Sequence, residues 1–125
     1  MTKKIAIIED DVAIAQMYRI KFEAEGFVVE TAENGVYGLE LIQEMQPDMV
    51  LLDLMMPEMN GDEVLKQMRQ QPWGANTKVI ILTNMGEQEA PAIIKELGVE
   101  AFIVKADMTP RQVAELVKKH VGEVV

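Results

Sequence analysis

Asp53 closes an apolar run, Met49-Val50-Leu51-Leu52, and a Pro/Gly-bearing turn, Pro57-Glu58-Met59-Asn60-Gly61, follows within a few residues. The pattern reads as a buried strand that stops at a carboxylate. A lone acid at the C-terminal end of a central strand lies where open α/β sheets place their chemistry. Glu9 and Asp10 end another apolar run, Ile5-Ala6-Ile7-Ile8. Thr83 ends a third, Val79-Ile80-Ile81-Leu82, and Lys105 a fourth, Ala101-Phe102-Ile103-Val104. If the strands are parallel, these termini share one edge of the sheet. Three carboxylates brought together resist ionisation unless a cation joins them. A hard divalent ion such as Mg2+ meets that need, keeping some waters and sharing phosphate oxygens. Asp53 then fits a nucleophile that forms an aspartyl phosphate. The Lys105 ammonium offsets charge on the transferring group, and the Thr83 hydroxyl donates to a phosphoryl oxygen.

Each residue alone has a plainer reading. An acid pair after a strand often caps the next helix, and Asp11 is expected to do so here. A strand-end Thr is usually a turn residue, and a lone Lys there is usually solvated. Four strands with such ends together favour one shared site.

The elements that must position these residues alternate along the chain. Strands are expected near 4–8, 27–31, 48–53, 78–82 and 101–104. All but the second are continuous apolar runs, as in strands covered on both faces. Val28, Val29 and Glu30 mark the second as an edge strand. The first helix, about 12–25, carries Ile14, Met17, Tyr18 and Phe22 at helical spacing and ends at Gly26. The second starts after Asn34, with Leu39, Ile42 and Met45, and the third follows Gly61, with Val64, Leu65 and Met68. The fourth carries Ile93, Ile94 and Leu97, stops at Gly98, and takes Pro91 into its first turn. The fifth is capped by Thr109, with Pro110 at its first position and Val113, Leu116, Val117 and Val121 on one face. Five βα units predict a doubly wound α/β domain with a parallel sheet and helices on both faces. Strand order is not legible from the pattern.

Composition bounds the function. The chain has 125 residues, enough for one domain over 1–125 and too few for a separate output module. Its net charge is -9, from 12 basic and 21 acidic residues, which argues against direct nucleic-acid binding. No cysteine is present, so disulfide and thiolate chemistry are excluded. Four apolar residues before Glu9 are too few for a signal-peptide core, and no run approaches a membrane span. The reading is a soluble, cytoplasmic protein without membrane contact.

Across its whole length the chain resembles a response-regulator receiver domain of two-component signalling. The resemblance rests on Ile7-Ile8-Glu9-Asp10-Asp11, Val50-Leu51-Leu52-Asp53-Leu54-Met55-Met56-Pro57 with Asn60-Gly61, Ile80-Ile81-Leu82-Thr83, and Phe102-Ile103-Val104-Lys105. It implies a flavodoxin-like five-stranded sheet of order 2-1-3-4-5 with five helices. It implies phosphoryl transfer to Asp53 from a sensor histidine kinase or phosphotransfer protein. Mg2+ would be held by Glu9, Asp10, Asp53 and the backbone carbonyl of Met55. Thr83 and Lys105 would contact the phosphoryl group. The Thr83 and Phe102 positions would form the switch that reaches a downstream effector or the protein's own output domain. The protein would modify itself but turn over no separate metabolite.

Three departures stand out. Ala106 follows Lys105, where the family carries a proline after a cis bond. A non-proline cis bond costs about 2.5–4 kcal/mol, so cis and trans both stay open. Phe102 lacks the hydroxyl of the frequent tyrosine. Glu100-Ala101 precedes it, where dimerising members carry two acids. A phosphorylation-dependent dimer stays open, but one acid of that salt-bridge pairing is missing.

Two rival readings are weaker: a true enzyme, and a binding or scaffold module that is either a flavin carrier or a degenerate receiver. A haloacid-dehalogenase-type enzyme resembles Asp-x-Asp, and that second acid is Met55 here. A flavin carrier wants a Ser/Thr/Gly-rich loop after its first strand, where Glu9-Asp10-Asp11 would repel a phosphate. A degenerate receiver would lack a key residue, and all are present. Met55 and Met85 stand two residues past Asp53 and Thr83. Neither orients an attacking water, so a long-lived phosphoryl state is expected. His120, near the end of the fifth helix, reads as a surface residue at a favourable helix end.

Overall fold

Ile5, Ala6, Ile7 and Ile8 are all buried, because β1 (Lys4–Ile8) is flanked by strands and covered on both faces. A computed structural model describes residues 2–122. The remaining elements are α1 (Val12–Ala24), β2 (Val28–Ala32), α2 (Gly35–Met45), β3 (Met49–Leu52), α3 (Gly61–Arg69), β4 (Lys78–Thr83), α4 (Ile93–Leu97), β5 (Ala101–Val104) and α5 (Pro110–Val121). Every strand pairing is parallel and the order is β2-β1-β3-β4-β5. The structure thus supplies the order that pattern alone left open.

Successive residues of a strand point to opposite faces, and the core divides accordingly. Ile5, Ile7, Leu51, Ile80 and Leu82 pack with Tyr18 and Phe22 of α1 and with Val113 and Val117 of α5. Ala6, Ile8, Val50, Leu52 and Ile81 pack with Ile42 of α2, Leu65 and Met68 of α3, and Ile94 of α4. The edge position expected for β2 is observed. β5 is the other edge. Only Ile103 is buried there, and Ala101, Phe102 and Val104 are partly exposed. Its apolar run misled because an edge strand beside a short helix is covered incompletely.

The caps follow the sequence. Asp11 Oδ1 accepts from the Ile14 N–H at 3.1 Å and Asn34 Oδ1 from the Tyr37 N–H at 2.9 Å. Thr109 and Gln112 form a reciprocal capping box. One expectation is corrected. Pro91 does not lie in the first turn of α4, which begins only at Ile93. Ala90, held extended before the proline, blocks backward extension of the helix. A 3-10 turn, Glu87–Glu89, fills the preceding segment.

Arg69, at the end of α3, ties the short α4 down. Its guanidinium donates to the carbonyls of Leu97 (3.1 Å), Gly98 (2.9 Å), Gly74 (2.8 Å) and Thr77 (2.7 Å). At the far end of the sheet from the strand C-termini, Lys4 Nζ donates to the Met45 carbonyl at 2.8 Å. Among the described residues, no helix is long and apolar enough to cross a membrane.

Candidate functional site

Register places the reactive positions side by side. Ile8 pairs with Leu52, so Glu9 and Asp53 emerge together, and Thr83 pairs with Val104, one residue before Lys105. Backbone pairing continues to the acids themselves. The Asp53 N–H donates to the Ile8 carbonyl at 3.0 Å and the Glu9 N–H to the Ala32 carbonyl at 2.9 Å. The carboxylates are therefore carried by ladder-held backbone.

Glu9 and Asp53 are 4% and 5% exposed and Thr83 is fully buried, whereas Asp10 is exposed. Among the described residues, Glu9, Asp10 and Asp53 each offer a carboxylate oxygen, all within 4.8 Å of one another. Lys105 Nζ donates to Asp53 Oδ2 at 3.1 Å and also to Glu9 Oε1. The other oxygens of Glu9 and Asp53 are met by backbone: Asp11 N–H donates to Glu9 Oε2 and Met55 N–H to Asp53 Oδ1, both 3.1 Å. Thr83 Oγ1 accepts from the Met85 N–H at 3.3 Å. These groups border an open cavity of about 410 Å³.

Burial disfavours charge on Glu9 and pushes its carboxyl from 4.5 up to about 7, against the pull of the Lys105 and Asp11 hydrogen bonds. The Asp53 charge adds to the rise. Burial alone would lower the Lys105 ammonium. Its bond to Glu9 and the charges of Asp53 and Glu9 outweigh that and hold it above its ordinary value. The donor set fits a small hard cation: it is all oxygen, closely spaced and rich in negative charge.

Glu9, Asp10, Asp53, Thr83 and Lys105 thus meet at one sheet edge, as expected from the sequence. Met55 joins them through its N–H, and the residue is 57% exposed beside the cavity. Phe102 does not border that cavity. It pairs with Ile81 in β5 and lines a separate groove of about 260 Å³ against α4, with Ile94 and Val99. The Lys105–Ala106 bond is settled as trans, since no described peptide bond is cis. Lys105 reaches Asp53 with this trans bond in place, and a 3-10 turn, Lys105–Asp107, follows β5 directly.

Three contributors escaped the sequence reading. Gly61 packs on the backbone of Asp53, and a Cβ there would lie 2.1 Å from the Asp53 carbonyl oxygen. Its place at the head of α3 was visible, its contact with Asp53 was not. Asn84 lines the cavity, and its position beside Thr83 was the available signal. Tyr18 is buried within the electrostatic reach of Lys105 and Glu9, where its helical spacing marked it only as core.

A doubly wound parallel sheet with an acid-rich pocket at its C-terminal edge places the chain among the α/β proteins that carry their site at the carboxyl ends of the strands. The family model described as "Response regulator receiver domain" matches residues 5–118, and the chain belongs to that family. It is 34% identical over 116 residues to the phosphate regulon transcriptional regulatory protein PhoB of Rhizobium meliloti, covering 93% of this chain and 51% of that protein. It is 31% identical over 123 residues to the polar-differentiation response regulator DivK of Brucella ovis, covering 98% and 99%. The chain therefore spans about half the length of the first relative and nearly all of the second. A CheY-like receiver domain protein of Methanospirillum hungatei superposes with a TM-score of 0.88 at 29% identity, over 97% of this chain and 94% of that one. The chain is a signalling module of the two-component type, a phosphorylation switch and not a metabolic enzyme.

Proposed function

We propose that residues 1–125 form one receiver unit that takes its phosphoryl group on Asp53 and holds it with Lys105 and Thr83. The observation that supports this best is Asp53 itself: a nearly buried carboxylate, fixed by Met55 and Lys105, facing an open cavity. A carboxylate oxygen of Asp53 attacks phosphorus, the bond from phosphorus to the donor breaks, and the donor leaves with its electron pair. With a histidine kinase or phosphotransfer protein as donor, the leaving group is an imidazole that takes up a proton.

Mg2+, held by Glu9, Asp10, Asp53 and the Met55 carbonyl, would neutralise charge on the transferring oxygens. Lys105 offsets part of the negative charge of Glu9 and Asp53 through its two hydrogen bonds. A phosphoryl group on Asp53 offers that ammonium a stronger acceptor, and Thr83 Oγ1 a reason to turn its hydroxyl outward. Thr83 and Phe102 lie on neighbouring strands, paired through Thr83–Val104 and Ile81–Phe102. A shift at Thr83 is therefore felt beside the Phe102 groove, where an effector or an output domain would read it. Cytoplasmic action follows from a kinase donor.

The test treats the full chain with acetyl phosphate and Mg2+ and reads intact mass. One phosphate should be gained, lost on chelation, and absent in Asp53→Ala. Equal labelling of Asp53→Ala removes the assignment. Capture of partners with and without beryllofluoride, a phosphoryl mimic, then separates the kinase from the effector.

A further inference from the structure

Met55 is the most exposed of the methionines in and around the site, and its place there is fixed. Its backbone N–H is bonded to Asp53 Oδ1, so the side chain is carried by the atom sequence that holds the reacting carboxylate. Met55 is 57% exposed and lines both the Asp53 cavity and a second groove of about 500 Å³. Met85 and Asp10 line that groove with it. Met85 is tied in the same manner, its N–H bonded to Thr83 Oγ1. On this side the space beside Asp53 is thus bordered by two methionines, whose thioethers neither donate nor strongly accept a hydrogen bond. By contrast Met56 is 7% exposed, and Met49 and Met68 are fully buried.

We propose that Met55 is a site of reversible oxidation whose sulfoxide shortens the life of the phosphoryl group on Asp53. The inference rests on Asp53 as the phosphoryl acceptor. The oxidant is a hydroperoxide: its O–O bond breaks, one oxygen is transferred to Met55 Sδ, and the sulfur loses two electrons. The peroxide is reduced to water, or to an alcohol for an organic peroxide. The product carries a polar S=O in place of an apolar thioether. That oxygen accepts a hydrogen bond from a water entering the cavity and holds it beside the phosphorus, where the thioether only excluded it. Met17, 45% exposed on α1, is an oxidisable methionine that does not line either cavity and serves as the internal control.

The full chain is phosphorylated with acetyl phosphate and Mg2+, with and without prior exposure to dilute hydrogen peroxide. Sulfoxides are located by peptide mass, and phosphoryl decay is followed by intact mass after the donor is removed. Met55 and Met17 should oxidise ahead of Met49, Met56 and Met68. Decay should accelerate roughly two- to tenfold, the rate equivalent of one net hydrogen bond, and methionine sulfoxide reductase should restore slow decay. Met17→Leu should keep the acceleration and Met55→Leu should lose it. Unchanged decay with Met55 fully oxidised overturns the proposal, as does equal acceleration in Met55→Leu. A reduced protein that takes no phosphate on Asp53 instead overturns the phosphoryl-acceptor function, and the inference falls with it.

Discussion

Glu9 carries the pH dependence of the site. Its folded carboxyl titrates near 7 and its ordinary value is 4.5, because burial disfavours the charged form. The folded chain thus holds the Glu9 proton more tightly than the unfolded chain. The stability this contributes is full below 4.5 and is lost as pH rises through about 7. Without divalent ions, melting temperature should fall between those limits, and Glu9→Gln should flatten the fall. Mg2+ binding should strengthen across the same window, since the ion must displace the proton. A wild-type melting curve that does not change from pH 5 to 8 would contradict this account.

With Asp53 as the proposed acceptor, Met55 and Met85 are expected to set the other residue-scale property, the lifetime of the phosphoryl state. Both border the groove beside Asp53, and neither orients a water. Phosphoryl decay should be slow, suited to sustained output. Met55→Asn and Met85→Glu should each quicken it by about two- to tenfold, as expected for one added hydrogen bond. Decay of the wild type within seconds, or no effect of either polar replacement, would remove the two methionines from the explanation.

At the scale of elements, α3 governs both the site and its neighbour. Gly61 sits so close to the Asp53 carbonyl that any side chain must push α3 or the end of β3 away. Gly61→Ala should destabilise the fold by about 1–3 kcal/mol, the usual range for overpacking. It should also weaken Mg2+ binding measured by calorimetry, since Asp53 moves with the strand end. At the other end of α3, Arg69 satisfies four carbonyls from the end of α4 and the loop before β4. Arg69→Met should cost about 1–3 kcal/mol in urea unfolding, because charged-donor bonds to part-buried carbonyls are lost. Hydrogen exchange should rise first around Leu97 and Gly98. An unchanged exchange pattern there would show that α4 is held by its apolar contacts alone.

For the molecule as a whole, three clustered carboxylates in a chain of net charge -9 make ion binding a stability term. The cluster exists only when β1 and β3 are paired, so the ion binds the folded state alone. At free Mg2+ about 100 times its dissociation constant, stabilisation should reach about 2.7 kcal/mol. A chelator should abolish it, and Asp53→Ala should reduce it sharply. Equal stabilisation of Asp53→Ala by Mg2+ would place the ion elsewhere.

The sequence by itself determined the elements and which residues would gather at one end of the sheet. Short continuous apolar runs between turn signals marked the strands, though not that β5 would lie half-covered at an edge, and a strand that stops at Asp53, Glu9, Thr83 or Lys105 advertises a polar end. Asp11, Asn34 and Thr109 marked helix starts because local hydrogen bonds are written in local sequence. Strand order came from the family resemblance and not from the pattern, since pairing joins residues far apart in the chain. The tertiary structure alone decided the rest. It placed Phe102 in a groove away from Asp53, stopped α4 short of Pro91, and joined Lys105 to both Glu9 and Asp53 across a trans bond. It also gave Glu100 a partner in His120, 3.4 Å away, where sequence showed only a missing acid and a surface histidine. Each of these depends on how closely distant segments approach and how much water they exclude, and no local pattern carries that information.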